Sequence, residues 1–259
     1  MKYWDKRANM GYFYKGEKFY TITAVPYYYK RRNIIINRIS SLIANKNIKI
    51  CDFGCGDGEY IRKLHEKNKN CTFHGVDISK DMILEAERRN KYNNITFEVS
   101  GDGINKDEIF DLVYSSAVFA HIGDEILLPL FKNIYNHIQE NGMFILCEQT
   151  APSRYSGKNF IRRPMSEYIE LLKKVGFVNF ESFIIDFWLH RLLFERKIGK
   201  MFIDYYMRKT GEKDKNLVMI NLNSNLVYKF LSNLLSCLSF PRIFKNKDRW
   251  GYCFIVAKK

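Results

Sequence analysis

The sequence predicts an α/β protein: a parallel sheet with helices on both faces, extended at its N-terminus and interrupted by a helical insertion before its last strand. Three observations carry this. Strand-like and helix-like segments alternate from 47 to 186, the pattern of strand–helix–strand crossovers. The strand-like segments are short apolar runs rich in β-branched and aromatic residues, while those between them repeat at helical spacing. Directly after the first apolar run comes ICDFGCGDGEY at 50–60, with Gly54, Gly56 and Gly58 at every second position. A turn of this kind, at the carboxyl end of the first strand, opens onto the crevice where such sheets bind ligands.

Residues 1–46 form an extension that is aromatic and basic, with YWDKRANMGYFYKGEKFY followed by PYYYKRR. The first strand is expected at 48–53 and the first core helix near 58–67. The second strand, 72–77, leads into a helix near 79–92. There Ser79 is placed to cap the amino end, and the order of charge, acidic early and basic late, suits the helix dipole. Strands follow at 95–99 and 110–115, a helix near 124–138, a strand at 142–147 and a helix near 164–175. Gly176 after YIELLKKV reads as the stop of that last helix. A strand near 178–186 precedes the insertion, 187–249, whose Leu222, Leu226, Phe230, Leu234 and Leu238 make one apolar stripe. The stripe is expected to cap the core; with Lys229 the lone basic residue in its tightest part, a membrane-surface helix is the less favoured reading. Tyr252–Ala257 is the last strand, so the core is 47–186 with 250–259.

A chain of 259 residues that is 46% hydrophobic can bury one well-formed domain with an insertion. No apolar run is long enough to span a bilayer, and MKYWDKRANM lacks the apolar stretch of a signal peptide. Six cysteines without CxxC pairing suit reduced thiols, so a cytoplasmic location is expected. The formal charge of +14 is concentrated: 1–46 and 187–249 each carry a net +8, and the remainder a net −2. Such a field favours anionic ligands or surfaces, with solubility alone as the plainer explanation.

The glycines narrow the ligand. A dinucleotide site needs G-x-G-x-x-G, but counting from Gly54 the third position is Glu59. The pattern is D-x-G-x-G-x-G from Asp52 to Gly58, and the Asp57 and Glu59 carboxylates suit a ligand with a cationic centre better than a pyrophosphate. ICDFGCGDGEY resembles motif I of class I S-adenosylmethionine-dependent methyltransferases. The resemblance continues in order through FHGVDISKDMILEAE, VSGDG at 99–103, DLVYSSAVFAHI at 111–122, NGMFILCEQT and EYIELLKKVGF. It covers roughly 47–186 and the last strand, and implies a Rossmann-like seven-stranded sheet whose last strand is antiparallel. The cofactor implied is S-adenosyl-L-methionine, leaving as S-adenosyl-L-homocysteine. The resemblance places Asp52, Gly54, Cys55, Gly56 and Gly58 around it. Asp77 would meet the ribose hydroxyls, with Ile78 and Met82 close by. Asp102 and Gly103 would lie at the adenine, and Ser115 and Ser116 near the methionine part. Asp52 equally suits an organiser of the loop.

Methyl transfer from a sulfonium needs the acceptor held in line and, for some acceptors, a proton removed. His121, just past the fourth strand, is the first candidate base and Glu148 the second, each with a packing role as the alternative. SSAV at 115–118 lacks the Asn/Asp/Ser-Pro-Pro-aromatic motif of amino-group base modifiers, and no cluster suggests a metal. Arg154, Arg162 and Arg163 are candidate binders of an anionic acceptor. The expected reaction is therefore O-methylation of a small anionic group such as a sugar phosphate. The extension and insertion resemble methyltransferases of bacterial capsule and surface-polysaccharide synthesis. Methylation of RNA or of a lipid-linked acceptor at a membrane surface, or a binding module without turnover, are the alternatives.

Overall fold

A computed structural model describes residues 24–101, 103–105, 107–157, 160–186, 199–210, 242–245 and 248–259. The chain divides into two compact units, one of residues 1–5, 35–185 and 243–259, the other of 6–34 and 186–242.

In the first unit the strands are β1 (Lys49–Phe53), β2 (Thr72–Asp77), β3 (Ile95–Val99), β4 (Phe110–Ser116), β5 (Ile138–Thr150), β8 (Val178–Asp186, whose last residue falls in the second unit) and β10 (Gly251–Lys258). With the three-residue β9 (Arg242–Phe244) at the edge they form a sheet in the order β3-β2-β1-β4-β5-β10-β8-β9. β1 through β5 are parallel, and β10 runs antiparallel to both β5 and β8. This is the Rossmann-like class I methyltransferase sheet with an added edge strand. A short antiparallel hairpin, β6 (Tyr155–Gly157) and β7 (Phe160–Arg162), follows β5.

The helices are α1 (Ala24–Ile43), α2 (Glu59–Lys67), α3 (Lys80–Arg89), α4 (Asp124–Asn136), α5 (Met165–Val175) and α6 (Gly199–Thr210). α1 turns Ile35, Ile39 and Ile43 into the core at four-residue spacing. Ser79 caps α3 by accepting from the Met82 amide, and Gly176 at φ 121° closes α5. β5 begins four residues earlier than expected, because Ile138 pairs with Phe110 ahead of a bulge. Asn141, at φ 64°, lets the strand continue past Gly142. α6 lies in the second unit, and the apolar stripe of 222–238 and the extension before residue 24 lie outside the described residues.

The core between the sheet and α4 and α5 is aromatic. Phe119 stacks on Phe53 at 5.9 Å and meets Phe131 edge-on at 4.8 Å, and Phe144 lies 5.7 Å from Phe177. Phe119 belongs to a single 3-10 turn, Phe119–His121, just after β4. Its burial ties the carboxyl end of β4 to that of β1.

Candidate active site

The glycine turn leaves β1 by folding over β2: the Gly54 and Cys55 amides both donate to the Val76 carbonyl, at 2.8 and 3.0 Å. Gly54 sits at φ 77° with Val118 against it, so that a Cβ there would lie 2.2 Å from Val118 Cγ2. Gly56, at φ 55°, has open space where a Cβ would stand. These are the two uses of glycine, conformation and close approach. Gly58 packs its α-carbon under the Phe97 ring.

Asp77, half-buried at the end of β2, secures this turn. Its Oδ2 accepts from the Gly56 amide at 2.8 Å and its Oδ1 from the Ser79 amide at 2.9 Å. These two bonds aim the carboxylate. Beside Asp77, Ile78 is 37% and Val99 45% exposed, an apolar rim at the ends of β2 and β3. Gly103, at φ 130°, lies against Asn133 of α4, whose Oδ1 accepts from the Ile104 amide at 2.8 Å. Asp102 lies outside the described residues. Open backbone at Gly56, a fixed carboxylate at Asp77 and this apolar rim suit a nucleoside bearing a cationic chain.

Other expected cofactor residues lie beneath this surface. Asp52 is buried and accepts from the Tyr114 hydroxyl at 2.7 Å. Desolvation raises its carboxyl to about 8 against the pull of that hydrogen bond. Tyr114 carries no motif; only the β1–β4 register, which sets it opposite Asp52, reveals it. Cys55 is buried, its thiol raised by desolvation and by Asp52. Met82 is 2% exposed and lies on the buried side of α3. Ser115 is fully buried with an unpartnered hydroxyl, and Ser116 is half-buried with its Oγ 3.0 Å from the Tyr252 hydroxyl. Asp57 is tied to Arg89 at 2.9 Å, so its charge is compensated and does not face the turn bare.

The turn after β4 carries His121 at the surface. The amides of Val118 and Phe119 donate to one oxygen, Glu148 Oε1, the latter at 2.8 Å. Glu148 is fully buried and its Oε2 has no partner. Desolvation lifts its carboxyl to about 7 despite the backbone amides that oppose the shift. Its carboxylate serves the fold, which corrects the expectation of a second base open to substrate.

The three arginines separate. Arg163 is fully buried, donating to the Phe119 carbonyl at 2.9 Å, the Ile122 carbonyl at 2.8 Å and Asp124 at 2.6 Å. Arg154 pairs with Asp124 and, at 3.1 Å, with Glu167. Together the two guanidinium groups, Arg154 foremost, hold Asp124 down at about 2. Both are spent on internal carboxylates and carbonyls, so neither is the open anion binder expected. Arg162 differs: its guanidinium lies over the Phe160 ring at 5.2 Å and the Trp250 ring at 5.6 Å, and no carboxylate among the described residues pairs with it. Tyr155 closes the cluster, 5.8 Å from Trp250. Trp250 was not singled out in sequence, because nothing local brings it to the hairpin.

Among the described residues no group of three His, Cys, Asp or Glu is placed to hold a metal, and no helix is long and apolar enough to cross a membrane.

A methyltransferase-domain family profile matches residues 51–144. The chain is 26% identical over 228 residues to phosphoethanolamine N-methyltransferase of Plasmodium falciparum, covering 83% of this chain and 80% of that one. It is 30% identical over 131 residues to carboxy-S-adenosyl-L-methionine synthase of Campylobacter lari, 49% of this chain and 54% of the other. Among solved structures, the O-methyltransferase of a Brevibacillus brevis trans-AT polyketide synthase with S-adenosyl-L-homocysteine aligns with a TM-score of 0.60 at 20% identity, over 92% of this chain and 77% of that chain. Haemonchus contortus phosphoethanolamine N-methyltransferase 2, with phosphomonomethylethanolamine and S-adenosylhomocysteine, aligns at 0.58 and 20% identity over 89% of this chain, which spans 52% of that longer protein. These structures share the fold.

Proposed function

We propose that this S-adenosylmethionine-dependent methyltransferase transfers its methyl group to a small anionic acceptor whose charge is met by Arg162. One observation carries the reading. Among the described residues, Arg162 alone of the three arginines around the β6–β7 hairpin has no carboxylate partner, and two aromatic rings hold its plane in place. A preordered guanidinium fork suits a phosphate or carboxylate. Phe160, Trp250 and Tyr155 around it suit a flat or apolar body on the same acceptor. Two curated relatives carry names, phosphoethanolamine and malonyl-acyl carrier protein, that denote acceptors with an acid group.

When bound, the cofactor supplies a methyl group on a sulfonium whose departure as a thioether needs no acid. The Gly56 backbone and Asp77 would hold it, and Ile78 and Val99 would flank its flat end. Arg162 orients the acceptor by its charge. His121, exposed at the end of the post-β4 turn, is the candidate base where the accepting atom is a hydroxyl. The choice of oxygen as the accepting atom is supported by SSAV at 115–118, which lacks the motif of amino-group base modifiers; the surface-polysaccharide setting rests on the resemblance of the extension and the insertion, which lie largely outside the described residues.

The test is labelled methyl transfer to a panel of phosphomonoesters and small carboxylates beside their uncharged analogues. Anionic acceptors are expected to be preferred, and Arg162→Gln to raise their KM about ten- to a hundredfold by removing a charged hydrogen-bond pair. Equal use of uncharged analogues by the wild type, or an unchanged KM in Arg162→Gln, would sink the proposal.

A further inference from the structure

The turn after β4 is held from outside itself. Within it, the His121 amide donates to the Val118 carbonyl at 3.0 Å and the Ile122 amide to the Phe119 carbonyl at 3.3 Å. The amides that open it go to Glu148, and the carbonyls of Phe119 and Ile122 go to Arg163. Both side chains are fully buried, the most expensive place for a charge. They come from neighbouring backbone, since Thr150 bridges to Arg163. The two residues at the head of the turn rest on the two residues where β1 becomes the glycine turn: Phe119 stacks on Phe53, and Val118 fills the space beside Gly54. The turn thus joins the cofactor loop to His121, and Arg163 directly follows Arg162 in the chain.

We propose that Glu148 and Arg163 are positioning residues that grip the 118–122 turn from its two ends and so set the glycine loop and His121 in register with each other. Burial excludes both from touching substrate; they act through Val118 and Phe119. A short turn leaves its terminal amides and carbonyls without partners of their own. With either side chain cut away, the turn loses one anchor while Phe119 still fills the core, so the fold survives and the loop beneath Val118 loosens. The inference rests on the cofactor reading and is independent of the acceptor.

Calorimetric titration of the full chain with S-adenosylhomocysteine tests it, with circular-dichroism melts in parallel. Glu148→Ala is expected to weaken binding about tenfold or more while still melting cooperatively, since it orphans the buried Phe119 amide and the part-buried Val118 amide. Glu148→Gln keeps a carbonyl oxygen for both amides and is expected to stay within about threefold of wild type. Arg163→Lys, with one donor group in place of a fork, is expected to weaken binding about fivefold. Wild-type affinity in both Glu148→Ala and Arg163→Lys would overturn the inference, as would Glu148→Gln binding no better than Glu148→Ala. Should Glu148→Ala fail to fold, Arg163→Lys decides alone. Failure of the wild type to bind would overturn the cofactor reading instead.

Discussion

Alanine at Gly54 and alanine at Gly56 should fail in opposite ways. Both positions are left-handed, at φ 77° and 55°, and an alanine there costs about 1–2 kcal/mol in backbone strain. At Gly54 there is a second cost. The new Cβ would lie 2.2 Å from Val118 Cγ2 and 3.3 Å from Val118 Cβ. The Val118 backbone cannot withdraw, because its amide is held by Glu148 and its neighbour Phe119 is locked in the core, so relief is limited to a turn of the β-branched Val118 side chain itself. Overpacking of this kind costs about 1–3 kcal/mol, so Gly54→Ala should lose about 2–5 kcal/mol in all. That is a large share of a typical domain's stability of about 5–15 kcal/mol. At Gly56 nothing lies within 4 Å of the added methyl. The stability loss there should stop at the backbone term, yet the methyl enters the space beside Asp77 in which the proposed site would hold the cofactor. Gly56→Ala should therefore fold nearly normally and bind S-adenosylhomocysteine at least about tenfold more weakly, a loss of about 1.4 kcal/mol. Urea unfolding gives the first quantity and calorimetric titration the second. Equal stability of the two variants would refute the steric argument, and wild-type binding by Gly56→Ala would refute the placement of the cofactor over that glycine.

Two further outcomes follow from the same geometry. Asp77→Ala removes the acceptor for the Gly56 and Ser79 amides and should weaken S-adenosylhomocysteine binding by about 1–3 kcal/mol; unchanged calorimetric affinity would remove Asp77 from the site. Glu148→Gln should change the pH dependence of stability. Burial raises the Glu148 carboxyl from 4.5 to about 7, so its protonated form is the one the fold prefers. That preference stabilises the wild type fully below about pH 4.5 and is lost as pH rises through about 7, a change of about 3 kcal/mol. Glutamine does not titrate, so the variant should gain on the wild type between pH 5 and 8 in paired urea melts; a constant difference would refute the buried-charge argument.

Much of the frame was legible because its causes are local. Alternating apolar runs, the cap at Ser79 and the stop at Gly176 depend on nearest neighbours, and the strands and helices formed close to where these signals lie. The glycine turn was equally legible, since left-handed backbone demands glycine wherever it occurs. The β6–β7 hairpin and β9 were not, for three residues are too few to show alternation. The three arginines show the same limit. Arg154, Arg162 and Arg163 look alike in sequence, and Asp124, some 30 to 39 residues away, separates them by neutralising two.

By itself the sequence determined the fold class, the order of its main strands and helices, and the glycine turn that ends the first strand. These follow from backbone conformation and local periodicity, which a few consecutive residues specify. Only the tertiary structure decided what each charged group does. It buried Glu148 and Arg163 around one turn, set Asp52 against Tyr114 across two strands, and left Arg162 between Phe160 and Trp250. A charge acquires its role from its partners and its distance from water, and packing brings those partners from distant parts of the chain.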